Sequence, residues 1–220
     1  MMKRREFVAT AAMLAAGTAA LSPAGLLAQA PQEGKNFVKL GQAAPTEAAA
    51  GKIEVLEFFW YNCPHCSAFE PVLAAWAMKL PKDVVFRRVP IAFRDDYVPQ
   101  QKLYYALEAM GLLETLHAQV FSAIHGQRQN LVSAESITEW VVKQGVDRTR
   151  FVANFNSFST GAKASRARQL MTAYQIEGVP AVGVAGRFYT DGTMAGGMNG
   201  ALNVADFLIA LVRAKPNAVK

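Results

Sequence analysis

The chain has 220 residues, two cysteines, three histidines and a formal net charge of +6. Two cysteines exclude a disulfide framework, and so modest a charge implies no nucleic-acid partner by itself. Setting aside an N-terminal targeting segment leaves about 190 residues, enough for one well-buried domain or a domain carrying a large insertion.

That segment comes first. Lys3, Arg4 and Arg5 precede Phe7 to Leu27, a stretch rich in Ala, Leu and Val but broken by Gly17, Pro23 and Gly25. The run is too interrupted for a good membrane span and has the order of an export signal. Ala28-Gln29-Ala30 has the small-x-small form of a cleavage site, although Pro31 is a poor residue directly after a cut. Residues 1–30 are therefore expected to be removed. Arg4-Arg5-Glu6-Phe7-Val8 partly resembles a twin-arginine signal without its flanking Ser and Lys, so the general secretory and twin-arginine routes both stay open. Removal takes three basic residues and one acidic and leaves a charge of about +4. An exported chain works where disulfides are made and kept.

Asn36 to Leu40 is a possible short strand and Pro45 to Gly51 a loop. Ile53 to Phe59 (IEVLEFF) is an apolar run of strand length, and Phe69, Val72, Leu73, Trp76 and Leu80 share one face of a helix expected from about 64 to 80, with Pro71 kinking it. Both cysteines lie between the two, in Cys63-Pro64-His65-Cys66. A disulfide closing so small a loop removes little entropy from the unfolded chain, so the pair reads as chemistry and not as a staple. Cys63 falls at or just before the first turn, where unpaired backbone N–H groups and the helix dipole stabilise a thiolate. Pro64 suits the first helical position, and protonated His65 adds positive charge. Both effects lower the pKa of Cys63 and make it the accessible nucleophile, with Cys66, one turn in, the more buried resolving thiol. A zinc site would need about four ligands, and the chain offers only these two cysteines with His65, His117 and His125 and no second cluster.

A strand at Val84 to Val89 completes a βαβ unit and a parallel pair. From Val98 to Glu177 the pattern is helical. Leu103, Leu107 and Met110 share one face, and Leu113, Leu116, Val120 and Ile124 another; Ser136-Ile137-Thr138-Glu139 matches a capping box with Ser133 as a competing start; Asp147 caps a short helix; a last helix spans about 160–175. On that helix Lys163, Arg166 and Arg168 read as a solvated face. Ala181 to Ala185, a turn at Gly186-Arg187 and Phe188 to Thr190 read as a hairpin; a Gly-rich loop over 192–200 follows, and Asn203 caps a final helix carrying Val204, Phe207, Leu208, Leu211 and Val212.

Strands, a helical block, then strands and a helix describe one α/β domain interrupted by a helical one. With the Val55–Phe59 strand, Cys63-Pro64-His65-Cys66, Phe69-Glu70 and Gly178-Val179-Pro180-Ala181 in place, the chain resembles the DsbA family of periplasmic thiol:disulfide oxidoreductases over essentially its whole mature length. Cys-x-x-Cys alone is weakly specific; CPHC after a strand, with a later Gly-Val-Pro, is strongly so. The resemblance implies an α/β thioredoxin-like fold over 31–97 and 178–220 with an inserted all-helical domain over 98–177. It also implies a cis Val179–Pro180 peptide beside the cysteines, leaving the Val179 backbone free to pair with substrate. Glu57 shares a strand face with Ile53, Val55 and Phe59, where a carboxylate has a raised pKa and could exchange protons with Cys66. The resemblance supports that role; the alternative is a strand-end Glu reaching solvent. Glu70 reads as a surface or helix-local charge, His117 and His125 receive no role, and Trp60 and Tyr61 are placed beside a groove for unfolded polypeptide.

The expected function is disulfide introduction into exported proteins, in the periplasm, with no cofactor beyond the Cys63–Cys66 disulfide and no metal. The partners are reduced or unfolded exported polypeptides and a quinone-linked membrane oxidase resembling DsbB, and the protein is expected to be a monomer. A disulfide isomerase or reductase of the same fold is the nearest rival, and a periplasmic peptide-binding chaperone a rival from another class. A glutathione-using fold relative is a third; export and the intact second cysteine count against it.

Overall fold

The computed structural model describes residues 30–215, so the expected export signal, residues 1–30, lies outside the described residues but for its last. Five strands form one sheet in the order β1-β5-β4-β2-β3: β1 Val38–Lys39, β2 Ile53–Phe59, β3 Val84–Pro90, β4 Ala181–Val184 and β5 Phe188–Asp191. β2 pairs parallel to β3, and the remaining neighbours are antiparallel. β2 lies inside the sheet, covered on both faces, and all seven of its residues are buried. That is why it reads as a continuous apolar run and not as an alternation. This order, with a helix crossing from β2 to β3 and another following β5, is the thioredoxin-like fold with a helical insertion.

α1 (Pro64–Ala77) makes the β2-to-β3 crossover and stays continuous through Pro71, which lacks the N–H that would bond one turn back. α8 (Met198–Ala214) packs on β4, β5 and α1, and Trp76 of α1 donates to Asp206 of α8 at 2.9 Å. Val55, Val182, Val184, Leu208 and Ile209 fill the layer beneath α8. Between β3 and β4 run α2 (Val98–Ala109), α3 (Leu113–Phe121), a π-turn at Ser122–Gly126, α4 (Ala134–Lys143), α5 (Arg148–Phe155) and α6 (Phe158–Ala173). Their apolar faces meet the sheet in one core, in which Leu56 and Phe58 pack with Leu103, Leu107, Leu170 and Tyr174. Each such side chain contributes about 1.5–3 kcal/mol by leaving water.

Several local expectations are corrected. Ser133, not Ser136, caps α4: Ser136 sits three residues in and its hydroxyl returns the bond to the Ser133 backbone. The final helix starts at Met198 after Gly197, whose φ of 120° suits glycine, so Asn203 is an interior residue and caps nothing. The Gly-rich stretch before it contains a short helix, α7 (Gly192–Ala195), capped by Asp191. In the β4–β5 turn Ala185 and Gly186 both have positive φ, and a Cβ on Gly186 would collide with the Ala44 carbonyl. The α6 cations do lie on a solvated face, where each also meets an acid: Lys163 meets Glu108 at 2.6 Å, Arg166 meets Glu47 at 3.1 Å and Arg168 meets Asp95 at 3.0 Å. Among the described residues no helix is long and apolar enough to cross a membrane.

Candidate active site

β2 ends at Phe59, and the loop Trp60–Asn62 delivers Cys63 to the N-cap of α1, with Pro64 at the first helical position. The chain stops being a strand here because Cys63 N–H bonds the Trp60 carbonyl at 3.0 Å, while the Cys63 side chain accepts the Cys66 N–H at 3.4 Å. A sulfur thus takes the place usually held by a Ser or Asp oxygen at a helix start. The Cys63 thiol is drawn down to about 6, first by its hydrogen bond with the Cys66 side chain, which outweighs the opposing effect of burial, and then by the Cys66 and His65 backbone N–H groups and the His65 charge. The same pairing works in reverse on Cys66, which burial, then the bond to Cys63 and its charge, push far above the ordinary thiol range. Cys66 is 0% exposed and Cys63 7%, so reagents reach Cys63 first. His65 and Pro64 are exposed. Among the described residues no group of three or more His, Cys, Asp or Glu is placed to hold a metal ion.

The second half of the site comes from the other end of the chain. β4 pairs with β2 in a register that sets Ala181 opposite Phe58, and this carries the preceding residues to the cysteine loop. The Val179–Pro180 peptide is cis, and the Cys63 Sγ lies 3.4 Å from the Val179 carbonyl. A groove of about 430 Å³ opens beside it, lined by His65, Gly178, Val179, Pro180, Gly192 and Met198. A larger hollow of about 850 Å³, between α2 and α6, contains neither cysteine and belongs to a different face.

Beneath Cys66 lies a buried charge cluster, of which only Glu57 was anticipated. Glu57 is 1% exposed, which rules out a strand-end carboxylate reaching solvent. Its register partner on β3 is Arg88, whose Nε lies 3.2 Å from Glu57 Oε2. Yet Arg88 spends its hydrogen bonds on Glu70, with Nη2 donating to Oε1 at 2.6 Å and Nε to Oε2 at 3.2 Å, and neither Glu57 oxygen receives one. Burial therefore raises Glu57 to about 8, against the pull of the Arg88 charge and with the Glu70 charge adding to the rise.

Glu70 is accordingly not a surface charge: it is 7% exposed and its second oxygen also meets His117 Nε2 at 3.3 Å. Burial alone would raise its carboxyl, but hydrogen bonds from His117 and Arg88 and the Arg88 charge more than offset this and hold it below the usual range. His117, pushed down by its own burial, is neutral at neutral pH, and a neutral ring still donates through Nε2–H. Tyr61 is 1% exposed and forms no groove wall; its hydroxyl bonds His117 Nδ1 at 2.7 Å. Trp60, half-buried, stacks on Tyr97 with ring centroids 3.9 Å apart. Glu70 and Tyr61 are 47 and 56 residues from His117 in the chain, and no local pattern could have joined them.

Comparison with known proteins gives one answer. The profile of the DSBA-like thioredoxin domain matches residues 54–208. The thiol:disulfide interchange protein DsbA of Burkholderia cepacia is 42% identical over 202 residues, 92% of this chain and 93% of that protein. Its counterpart in Bordetella parapertussis is 45% identical over 198 residues, 89% of this chain and 94% of that one. The crystal structure of Pseudomonas aeruginosa DsbA superposes with a TM-score of 0.79 at 39% identity, over 83% of this chain and 95% of that one.

Proposed function

The chain belongs to the DSBA-like thioredoxin family and is a thiol:disulfide oxidoreductase that introduces disulfide bonds, and on that premise we propose that it does so through Cys63 as the attacked sulfur and Cys66 as the resolving one. A substrate thiolate attacks Cys63 Sγ of the oxidised pair; the Cys63–Cys66 bond breaks, a mixed disulfide forms, and Cys66 leaves and takes a proton. Glu57 supplies it: raised to about 8, the carboxyl carries a proton at neutral pH, and it stands close enough to Cys66 for its ionised form to disfavour the Cys66 thiolate. The substrate's second thiolate then attacks its own sulfur in the mixed disulfide, and Cys63 departs as thiolate. Two electrons pass from substrate to protein, one disulfide is made and one is reduced.

The observation that carries this reading is Cys63 at the N-cap of α1, where helix N–H groups and the Cys66 side chain lower its pKa to about 6. A stabilised thiolate is a good leaving group and favours the reduced protein, which makes the disulfide oxidising. Pro64 and His65 tune that sulfur from the first turn. Val179, its carbonyl beside Cys63 and Pro180 behind it, offers backbone to an extended substrate lying in the groove. The substrates are reduced exported polypeptides, the compartment is the periplasm, and a quinone-linked membrane oxidase resembling DsbB restores the disulfide.

The test is the equilibrium of the Cys63–Cys66 pair against a glutathione redox series, read by Trp fluorescence. The expected potential lies well above the roughly −270 mV of thioredoxin. A value near thioredoxin's overturns the oxidase and moves the protein to the reductases or isomerases. Replacing both cysteines with Ser removes turnover from an oxidase; a peptide-binding chaperone would go on suppressing aggregation.

A further inference from the structure

Two histidines of the helical block converge on one residue of the cysteine loop. The Tyr61 hydroxyl bonds His117 Nδ1 at 2.7 Å, and the Tyr61 carbonyl bonds His125 Nε2 at 2.8 Å. The proton positions follow from the partners. Ionised Glu70 only accepts, so His117 carries its proton on Nε2 and its Nδ1 accepts from Tyr61 O–H; a carbonyl only accepts, so His125 Nε2 is the donor. The Tyr61 ring is fixed as well, edge-on to Phe59 at 5.2 Å and to Phe121 at 5.1 Å.

The local fold is built for this contact. His125 stands in the π-turn that follows α3, closed by Gln127 N–H on the Ser122 carbonyl at 2.9 Å. One extra residue in a turn rotates everything after it by about 100° relative to an unbroken α-helix, and here it turns the imidazole toward the loop. Tyr61 in turn lies two residues before Cys63, whose N–H is tied to the carbonyl of Trp60. The loop therefore hangs between β2 and α1, with the helical block gripping it by both ends of a single tyrosine.

We propose that His117 and His125 are positioning residues for the redox reaction: by fixing Tyr61 they hold Cys63 in the N-cap geometry that stabilises its thiolate. This rests on the reading of Cys63 as the reactive sulfur. The groups facing His117 are Tyr61 from the loop, Glu70 from α1, Arg88 from β3 and Tyr104 from α2, with Glu57 of β2 behind Arg88. His117 thus also joins the loop to the charges beneath Cys66. An unanchored loop lets the sulfur drift from the Cys66 and His65 N–H groups, which raises the thiolate pKa and makes the disulfide less oxidising.

The experiment is titration of the reduced, full mature protein by thiolate absorbance at 240 nm, paired with the glutathione equilibrium. The variants are His125→Ala, Tyr61→Phe and His125→Gln, each checked for native circular dichroism. His125→Ala and Tyr61→Phe are each expected to move the thiolate midpoint upward and shift the glutathione equilibrium at least three-fold toward a less oxidising pair. His125→Gln, which keeps an N–H donor, recovers most of the shift. Should His125→Ala fail to fold, Tyr61→Phe, which removes only the hydroxyl bonded to His117, decides the His117 half, and His125→Leu, which fills the space without a donor, decides the His125 half. Wild-type midpoints and equilibria in the folded variants overturn the proposal. Cys63→Ser separates the two readings: if the low-pH thiolate signal survives in it, the assignment of Cys63 has failed; if the signal vanishes there but is unmoved in the histidine and tyrosine variants, only the positioning role has failed.

Discussion

Strand β2 carries two buried glutamates three residues apart on opposite faces, and their surroundings differ more than their sequence does. Glu54 and Glu57 are each 1% exposed, and each lies near an arginine of β3. Glu54 Oε1 accepts the Glu47 N–H at 2.9 Å and Arg87 Nη2 at 3.0 Å, while Arg87 reaches Glu47 with its other arm at 2.7 Å. On the other face Arg88 turns its fork to Glu70 and leaves Glu57 without a hydrogen bond. Burial is equal, and the two differ in their hydrogen bonds: Glu54 accepts from its arginine and from a backbone N–H, and Glu57 from neither. What separates them is whether a second acid has claimed the arginine.

The largest expected effect tests that difference directly. Glu57 binds its proton more tightly folded than unfolded, so its ionisation costs stability progressively as the pH rises from 4.5 to about 8. Glu57→Gln, which carries no such cost, should be more stable than the parent by on the order of 4 kcal/mol at pH 8 and by little at pH 4.5. Urea unfolding at the two pH values measures this, and an equal change at both removes the charge from the account. Glu54→Gln should act with the opposite sign: it strips a charge-assisted partner from Arg87, and about 1–3 kcal/mol is lost, with the glutathione equilibrium unchanged. Gly183→Ala sharpens the same point. Gly183 is paired with Leu56 on the Glu54 face, and a Cβ there would collide with the ring of Tyr174, whose hydroxyl is held by the Gly186 N–H at 2.9 Å. A loss of about 1–3 kcal/mol in unfolding free energy should leave the redox equilibrium where it was. The smallest effect belongs to Cys63. Its thiolate lends the reduced protein stability that is complete only above about 9 and is lost as the pH falls through about 6. The difference in urea midpoint between reduced and oxidised protein should therefore narrow between pH 7.5 and pH 5; a constant difference would contradict a depressed Cys63.

How far these features are legible in sequence depends on the reach of the forces that make them. β2 and α1 announce themselves through apolar periodicity, and Cys63-Pro64 through the stereochemistry of a helix start, all within a few residues. Glu57 is visible as a charge on an apolar face. Its lack of a hydrogen bond is not, because that depends on Glu70, which reads like any helix-surface acid until α3 brings His117 against it. Tyr61 reads as a contact residue because it neighbours cysteines, and only the packing of Phe59, Phe121 and His117 around it shows a core side chain. Cap competition failed for a simpler reason: Ser133 against Ser136, and Gly197 against Asn203, differ by where the chain enters the helix, which the neighbours of the helix decide.

One sulfur sealed beneath the other also governs the products of every encounter. With Cys66 fully covered and Cys63 at the rim, and no third thiol in the chain, the proposed chemistry attaches every mixed disulfide at one sulfur. A population of trapped complexes is then chemically uniform on the enzyme side, and all of its heterogeneity belongs to the clients. In a Cys66→Ser background, a cross-linked peptide map would have a single invariant half. Whatever varies in the other half is a direct reading of which client cysteines come forward first.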